Sequence, residues 1–395
     1  MSPCIAAHAT HPDAGMALAL VAAQIDAQRA ARSGGFRATL GLAYFTDHFA
    51  SQADALLAEL RQRWPGVAWV GAVGVGVLGN GAEYIDAPAL SLMLTELPAG
   101  EFQVFNGRQP LDEALAHSAL VHADPATPDL AELIDELSQR TRSHYVFGGL
   151  PSGRGRAVQL ADGVFDGGLS GVAFGAGVAM LSRVTQGCQP LGPVRRITAT
   201  DRNVVLALDG QPALPLLLAD LGQSLEHPEP ALRAMRNTLV GLTAGGTAAL
   251  SQGGQFGVAT RVRHLIGIDP GRDAVAIADT PQPGEQLAFC RRDMEAARRD
   301  LVRICSEIRD EVEADSPVPA LHGALGEAPA SRIAGAIYVS CAGRGGPHFG
   351  GPSAEAQIVQ HALGDVPLVG FFAGGEIAHH HLYGYTGVLT VFVRG

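Results

Sequence analysis

The chain has few of the features that mark the more specialised classes of protein. Only 17% of its 395 residues are charged and 6% are aromatic, and 39 acidic residues outnumber 28 basic ones, giving a formal net charge of −11. An acidic chain lacks the basic surface that supplies most of the affinity for nucleic acid and for anionic lipid. We therefore expect no nucleic acid and no membrane among its partners. The hydrophobic fraction of 47% is too high for a disordered chain.

Cysteines are also scarce, and their spacing indicates neither disulfide bonds nor a metal site. There are five, an odd number, and no two form a Cys-x-x-Cys pair; they are Cys4, Cys188, Cys290, Cys305 and Cys341. Scattered single cysteines are typical of free thiols in a reducing compartment. The first residues also lack the basic segment and apolar run of a signal peptide. These absences predict a cytoplasmic protein.

Glycine, by contrast, is abundant, and it punctuates three similar segments. Each segment has an apolar strand, an amphipathic helix and a second strand that runs into a glycine; the three glycines are Gly71, Gly148 and Gly370. The spacing from Asp47 to Gly71 equals that from Asp124 to Gly148, and the third segment is longer in its loop at 341–351. A second glycine cluster and a further strand follow each segment. Repeated β-α-β-loop-β units predict an α/β fold of mixed sheets flanked by helices.

Short motifs predict where several helices begin. Apolar residues at helical spacing predict a helix near the N-terminus; they are Leu18, Val21 and Ile25. Ser51 followed by Asp54 resembles a capping box for the first repeated helix. Thr127–Pro128 has the residue types preferred at the N-cap and N1 positions of the second. We expect the third to begin near Ser353.

The region between the second and third segments has a different organisation. The strand Val204–Leu208 ends in the turn Asp209–Gly210, and a helix follows from about Leu214. This pattern is typical of the start of a new domain, so we place a boundary near residue 205. The prediction is an N-terminal helical segment followed by two domains, over residues 1–35, 36–205 and 206–395.

Several runs of residues resemble proteins with FIST domains. Those in the N-terminal half are Tyr44–His48, Tyr145–Leu150 and Gln186–Pro190. Those in the C-terminal half are Ser340–Arg344, Gly370–Ile377 and Tyr385–Phe392. The six motifs occur in the expected order and cover nearly the whole chain from about residue 36. The chain is therefore similar to proteins with an N-terminal and a C-terminal FIST half.

The resemblance implies a sensory role in bacterial signal transduction. Family members are associated with small ligands such as amino acids, and some are linked to haem and nitric-oxide sensing. We therefore expect a small polar ligand, with a haem-binding gas sensor as the alternative. Because no output domain is visible, we also expect a separate signalling partner protein. An interaction scaffold without a small ligand is a further hypothesis.

The loop Cys341–Gly351 is the first candidate binding site. It lies between a predicted strand and a predicted helix, and Gly343 and Gly345 flank Arg344. Glycines allow backbone amides to approach a ligand, and a helix N-terminus favours an anion. A carboxylate could therefore bind there, with Arg344 as a forked partner. The alternative is a plain connection between strand and helix.

Glu376 is the second candidate, because it follows Gly375 at the end of a glycine-rich strand. Its carboxylate could bind an ammonium group and, with the arginine of the first loop, hold a zwitterion. The alternative is an ion pair within its own domain. The comparable segment Ser152–Arg156, with Arg154 and the preceding Gly149, is included in the candidate site, although a solvated turn is favoured for it.

Other polar residues allow different chemistry. Cys341 and His348 could act as nucleophile and base of a thiol enzyme, but no orienting third residue is identifiable, and we do not expect an enzyme. Cys188, His48 and His144 could each ligate haem, but a structural role explains each of them as well. His379–His381 does not predict a metal site, because adjacent strand residues point to opposite faces.

Overall fold

The chain has a mixed α/β structure in which helices cover the outer faces of mixed sheets, as predicted. The computed structural model describes residues 3–32, 35–244, 250–251, 255–256, 260–314 and 332–394. The helices are α1 (Ala14–Ala30), α2 (Ala53–Arg63), α3 (Leu130–Gln139), α4 (Ala213–Leu221), α5 (Pro228–Arg236), α6 (Met294–Ala314) and α7 (Ala354–Leu363). Short 3-10 helices cover Asp47–Gln52 and Gly346–Phe349.

The strands fall into three groups along the chain. Up to residue 186 they are β1 (Cys4–Thr10), β2 (Leu40–Thr46), β3 (Ala68–Gly74), β4 (Gly76–Gly79), β5 (Ala82–Ile85), β6 (Ala89–Thr95), β7 (Phe102–Phe105), β8 (Ser118–Ala123), β9 (Tyr145–Gly149), β10 (Gln159–Ala161), β11 (Val164–Phe165), β12 (Leu169–Phe174) and β13 (Met180–Gln186). The central strands are β14 (Cys188–Pro190), β15 (Arg195–Asp201), β16 (Val204–Leu208), β17 (Gln211–Pro212), β18 (Thr238–Thr243), β19 (Leu250–Ser251), β20 (Gln255–Phe256), β21 (Arg261–Asp269), β22 (Ala274–Ile277) and β23 (Gln286–Arg292). The last are β24 (Ile333–Cys341), β25 (Leu368–Ala373), β26 (Glu376–His379), β27 (His381–Tyr383) and β28 (Thr386–Val393).

The chain divides into two compact units. The first comprises Met1–Thr185 together with Leu301–Gly395, and the second comprises Gln186–Asp300. The division into residues 1–35, 36–205 and 206–395 follows the sequence motifs and stays a prediction.

The three predicted repeats are present in the first unit. In each, two parallel strands are joined by a crossover helix: β2-α2-β3, β8-α3-β9 and β24-α7-β25. A later strand returns antiparallel to the first strand of its own pair; these strands are β6, β12 and β28. The prediction of repeated β-α-β-loop-β units is therefore confirmed.

The repeats exchange hairpins in a cycle. Sheet I has the order β1-β6-β2-β3-β10-β11, sheet II β7-β12-β8-β9-β26-β27, and sheet III β13-β28-β24-β25-β4-β5. The hairpin β4-β5 leaves the first repeat and joins sheet III, β10-β11 leaves the second and joins sheet I, and β26-β27 leaves the third and joins sheet II. Each sheet therefore contains the paired strands of one repeat and a hairpin from another repeat.

The three glycines of the sequence pattern occupy equivalent positions inside the second strand of each pair. A Cβ atom at Gly71, Gly148 or Gly370 would lie 1.8, 1.9 or 1.8 Å from a backbone carbonyl oxygen of the facing strand. Those oxygens belong to Ala43, Val121 and Tyr338. No side chain fits at such a distance, which explains why glycine recurs in all three repeats.

The inner faces of the three sheets share one hydrophobic core. It includes Tyr44 of sheet I, Phe147 of sheet II and Phe371 of sheet III, and the Tyr44 and Phe371 rings stack at 4.9 Å. The fully buried His122 imidazole lies 3.2 Å from the Tyr44 hydroxyl. The helices α1 and α2 cover the outer face of sheet I, and α3 covers that of sheet II.

The second unit is built on an antiparallel sheet of order β14-β23-β15-β16-β22-β21-β18, with β17 beside β16. The helices α4 and α5 contribute to its core. The predicted strand at Val204–Leu208 and the helix after it are both present, as β16 and α4.

Two of the predicted helix starts are wrong. The segment containing Ser51 is a 3-10 helix, and α2 begins only at Ala53 without a side-chain cap. The helix α3 begins at Leu130, because the Thr127 hydroxyl accepts a hydrogen bond from the amide of Gly168 instead of capping the helix. At Thr127, local propensity thus gives way to a tertiary hydrogen bond. The stripe in α1 and the start of α7 after Ser353 are confirmed.

The strand β1 was not predicted at all. It precedes α1 and pairs along its whole length with β6 in sheet I. Among the described residues, no helix is both long and apolar enough to cross a membrane.

Candidate functional site

The glycine-rich corners that follow the parallel strands meet in the first unit. The Ser152 amide donates to the Val73 carbonyl at 3.1 Å, and the Ser152 hydroxyl donates to the carbonyl of Phe372. The Leu150 amide donates to the carbonyl of Gly375 at 2.8 Å. Loops from all three repeats are thus joined by direct hydrogen bonds.

Arg344 lies inside this region and forms an internal ion pair. Its side chain is 1% exposed, and its NH2 nitrogen lies 3.3 Å from the Glu355 carboxylate of α7. The same carboxylate oxygen accepts hydrogen bonds from the Tyr338 hydroxyl at 2.5 Å and the Ser340 hydroxyl at 2.9 Å. Burial alone would lower the pKa of Arg344, but the acidic groups around it outweigh burial and raise the pKa above its ordinary value. Arg344 is therefore charged and already paired.

Glu376 is buried in the same polar cluster. It begins β26 opposite Gly149 of β9, and its Oε2 accepts hydrogen bonds from the Thr386 amide at 3.1 Å and the Thr386 hydroxyl at 2.7 Å. Burial raises the pKa of Glu376 to about 8, against the opposing effects of Thr386 and the charge of Arg344. The structure thus brings Arg344 and Glu376 together. Their assignment to a ligand stays a prediction.

The N-terminus of α7, where we expected a ligand carboxylate, holds a carboxylate of the chain itself. Glu83 of β5 accepts a hydrogen bond from the Ala356 amide at 2.8 Å, and its own amide donates to the Ser353 hydroxyl at 3.0 Å. Burial raises the pKa of Glu83 to about 7. The helix end is thus stabilised by a glutamate from the exchanged hairpin.

Arg154 lies at the surface rather than in the buried cluster. Its side chain is 62% exposed, and its Nε and NH2 donate to the two carboxylate oxygens of Asp47, each at 2.9 Å. Its NH1 lies 3.3 Å from the exposed Asp86 carboxylate. The hydrogen bond from Arg154 is the main reason that the pKa of Asp47 is lowered. Arg154 thus joins two loops.

The candidate glycines allow close packing. A Cβ atom at Gly149, Gly345 or Gly375 would come within 3.0 Å of a neighbouring side chain. The Gly343 amide lies beside the Cys341 thiol. These positions explain the glycines by contacts within the chain.

Cys341 does not have the properties of a nucleophile. Burial raises the pKa of its thiol to about 12, and the nearby Glu376 carboxylate adds to this increase. A catalytic thiol needs a lowered pKa, because the thiolate is the reactive form. The side chain of His348, its predicted base, lies outside the described residues. The burial of Cys341 and the raised pKa of its thiol thus oppose the thiol-enzyme hypothesis.

The three candidate haem ligands, Cys188, His48 and His144, each lie in a different local environment. Cys188 is 3% exposed, and its thiol interacts with that of Cys290. His48 Nδ1 lies 3.4 Å from the Asp47 carboxylate, and His144 has the left-handed φ of 52° typical of a turn. Among the described residues, no group of three His, Cys, Asp or Glu side chains is arranged to hold a metal ion. The haem assignment stays a prediction.

A cavity of about 570 Å³ lies between sheets II and III of the first unit. One wall is formed by Tyr145 and Phe147 of β9, and Tyr145 meets the His379 ring edge to face at 4.7 Å. The Tyr145 hydroxyl donates to the Ser182 hydroxyl at 2.6 Å, which lies 2.8 Å from the Thr390 hydroxyl. Three arginines also line it: Arg183, Arg332 and Arg394. This volume is typical of small-molecule sites.

A second cleft, of about 600 Å³, borders the predicted glycine loop. Its lining includes Gly346, Gly350 and Gly351, together with Glu83. Arg344 and Glu376 are not among the residues that line it. The only charged side chain in its described lining caps α7, so this cleft offers a ligand no charged group that is free of a partner within the described lining.

Sequence reasoning missed the residues that complete the buried cluster and those that line the cavity. Glu83 and Glu355 are ordinary residues of amphipathic segments, and nothing local marks them as partners of the glycine loop. The cavity residues come from five strands that are distant in the sequence, β8, β9, β13, β26 and β28. The aromatic pair Tyr145 and Phe147, beside Gly148, was the available signal.

Family models match the chain over most of its length. The model of the FIST N domain matches residues 39–211, and that of the FIST C domain matches residues 213–379. The chain therefore belongs to the FIST family, whose domains are associated with sensing in signal transduction.

Curated relatives are similar along the whole chain. Uncharacterized protein Rv0628c of Mycobacterium tuberculosis is 30% identical over 403 residues, covering 97% of this chain and 98% of the relative. Uncharacterized protein Mb0898c of Mycobacterium bovis is 30% identical over 402 residues, covering 97% of each.

Proposed function

We propose that the protein is a sensor that binds a small polar molecule in the cavity between sheets II and III. The cavity carries this proposal, because it combines room for a small ligand with an aromatic wall, hydroxyl groups and arginines. An amino acid or a similar small polar molecule is the ligand class that the sequence predicts.

The cavity's position suggests how binding would be transmitted. The hydrogen bond from Tyr145 to Ser182 connects β9 of sheet II to β13 of sheet III. A ligand beside this bond contacts both sheets and favours the arrangement of the sheets in which its contacts are best. A separate partner protein would then recognise that arrangement.

A binding screen with cavity variants tests the proposal. We expect members of a panel of small acids, amino acids and nucleotides to raise the melting temperature of the wild-type protein. Ala179 lines the cavity and is exposed, so Ala179→Trp should fill part of the space and abolish the shift. Ala27→Trp, at an exposed position of α1, is the matched control and should bind normally.

Arg154→Ala separates the cavity from the site predicted around the glycine loops. Unchanged affinity in this variant supports the cavity, whereas loss of binding would move the ligand to the loops. A panel that produces no shift in the wild-type protein would contradict the sensor function. Retained binding in Ala179→Trp would exclude the cavity.

A further inference from the structure

The ionisable side chains in the described lining of the cavity that carry formal charge at neutral pH are all basic. Its described lining contains three arginines and two histidines and no aspartate or glutamate. Burial lowers the pKa of His379, so this histidine is neutral near pH 7. The three arginines stay positively charged over the whole physiological pH range.

One of these arginines is neutralised by the chain. Arg183 is paired with Glu311 and also lies 3.5 Å from the Glu307 carboxylate, both on α6. The other two have no carboxylate partner among the described residues: Arg332 donates to the Val312 carbonyl at 2.8 Å, and Arg394 follows β28. Two positive charges thus remain without an acidic partner in this part of the structure.

Two buried donors of the lining are also unsatisfied among the described residues. Arg394 Nε and the hydroxyl of Ser118, a residue that is 6% exposed, have no hydrogen-bond partner there. A buried donor without a partner is costly, because it has lost its bonds to water. An anionic oxygen is the strongest acceptor that could complete such a site.

The remaining wall is largely apolar. The rings of Tyr145 and Phe147 lie 6.3 Å apart in a stacked arrangement, and Val178 and Met180 line the cavity beside them. This surface suits a flat or aliphatic body. It provides no carboxylate for an ammonium group.

We propose that the ligand is a small organic carboxylate with an apolar body and no amino group. Its carboxylate is bound by Arg332 and Arg394, and its body packs against Tyr145 and Phe147. This inference rests on the proposed function and narrows its ligand class, because an α-amino group would be buried beside two arginines, with no acidic side chain in the described lining to pair with it.

Matched pairs of probes test the ligand class on the full chain. Phenylacetate, hydrocinnamate and hexanoate are compared by calorimetry with phenylglycine, phenylalanine and norleucine, which differ from them by the α-amino group. We expect at least one acid to bind, with an affinity at least about tenfold above that of its amino counterpart. Equal or tighter binding of the amino acids, or no binding by any of the acids, would overturn the inference.

Arginine variants test the assigned contacts. Arg394→Gln and Arg332→Gln should each weaken binding of the acid at least about tenfold, and Arg394→Lys should recover part of the loss. Arg63→Gln, in an exposed ion pair on α2, is the matched control. Unchanged affinity in both glutamine variants would overturn the assignment, and the comparison of probes on the wild-type protein holds even if a variant misfolds.

The outcomes separate this inference from the proposed function. Amino acids that bind more tightly than the acids, with binding lost in Ala179→Trp, would overturn the ligand class and leave the sensor in place. Binding of an acid that persists in Ala179→Trp would contradict the cavity itself and the inference with it.

Discussion

At the scale of single residues, the buried Arg344 finds its carboxylate partner, Glu355, within the chain. Arg344 and Glu376 were recognisable from the sequence because charged residues in glycine-rich loops are unusual. Their surroundings were not, because Glu355 reaches Arg344 from a helix, and Glu83 approaches Ser353 from 270 positions away in the chain. Which carboxylate pairs with a buried cation depends on tertiary structure, and a sequence pattern does not contain it.

The raised pKa of Glu376 predicts how stability depends on pH. The pKa is 4.5 in the unfolded reference and about 8 in the folded protein, so the folded state binds more protons between these values. The free energy of unfolding therefore falls as pH rises from 4.5 towards 8, by on the order of a few kcal/mol. Glu376→Gln removes this ionisation and should flatten the dependence, measured by urea unfolding at pH 5, 7 and 9.

Glu83→Gln is the control for the pH experiment. The pKa of Glu83 is raised to about 7, so this variant should also flatten the dependence but over a narrower range, ending nearer pH 7. Parallel curves for the wild-type protein and Glu376→Gln would show that Glu376 is not the titrating group.

At the scale of elements, the sequence predicts strands and crossover helices better than their ends. Short apolar runs identified all three parallel pairs, because these strands are buried on both faces. The helix starts at Ser51 and Thr127 were misplaced, because Ser51 lies in a 3-10 helix and the Thr127 hydroxyl accepts a hydrogen bond from the Gly168 amide. The strand β1 was missed, since its small residues resemble the start of a helix.

The glycines of the parallel pairs give a prediction at this scale. Gly71→Ala, Gly148→Ala and Gly370→Ala each place a Cβ within 1.9 Å of a facing carbonyl oxygen, so the paired strands must separate. We expect each variant to lose about 3 kcal/mol of unfolding free energy or more, at the upper end of the cost of overpacking. Urea denaturation measures the loss.

Gly107→Ala is the matched control, because a Cβ atom there would meet nothing within 4 Å. It should change stability by less than about 0.5 kcal/mol. A repeat glycine that tolerates alanine equally well would refute the close approach of the two strands at that position.

At the scale of the whole molecule, the number of repeats could be predicted and their connection could not. The three segments share one pattern of strand, helix and glycine, which the sequence contains directly. The hairpins β4-β5, β10-β11 and β26-β27 carry no signal for the sheet they join, since the same alternation fits any exposed edge. The cavity was equally invisible, because it is enclosed by strands that come together only after this exchange.

The exchange predicts that the N-terminal FIST region does not fold alone. A fragment of residues 1–211 lacks β25, the partner of β4, and also β26, which covers β9. It would expose the shared core and leave two strand edges unpaired, which favours aggregation. We expect the fragment to show no cooperative urea transition and to bind a hydrophobic dye.

Co-expression with residues 213–395 should restore a cooperative transition, because the missing strands return. A sharp transition for fragment 1–211 alone would instead establish this half as an independent domain, as the boundary near residue 205 suggests, and would contradict the dependence of sheet II on the third repeat.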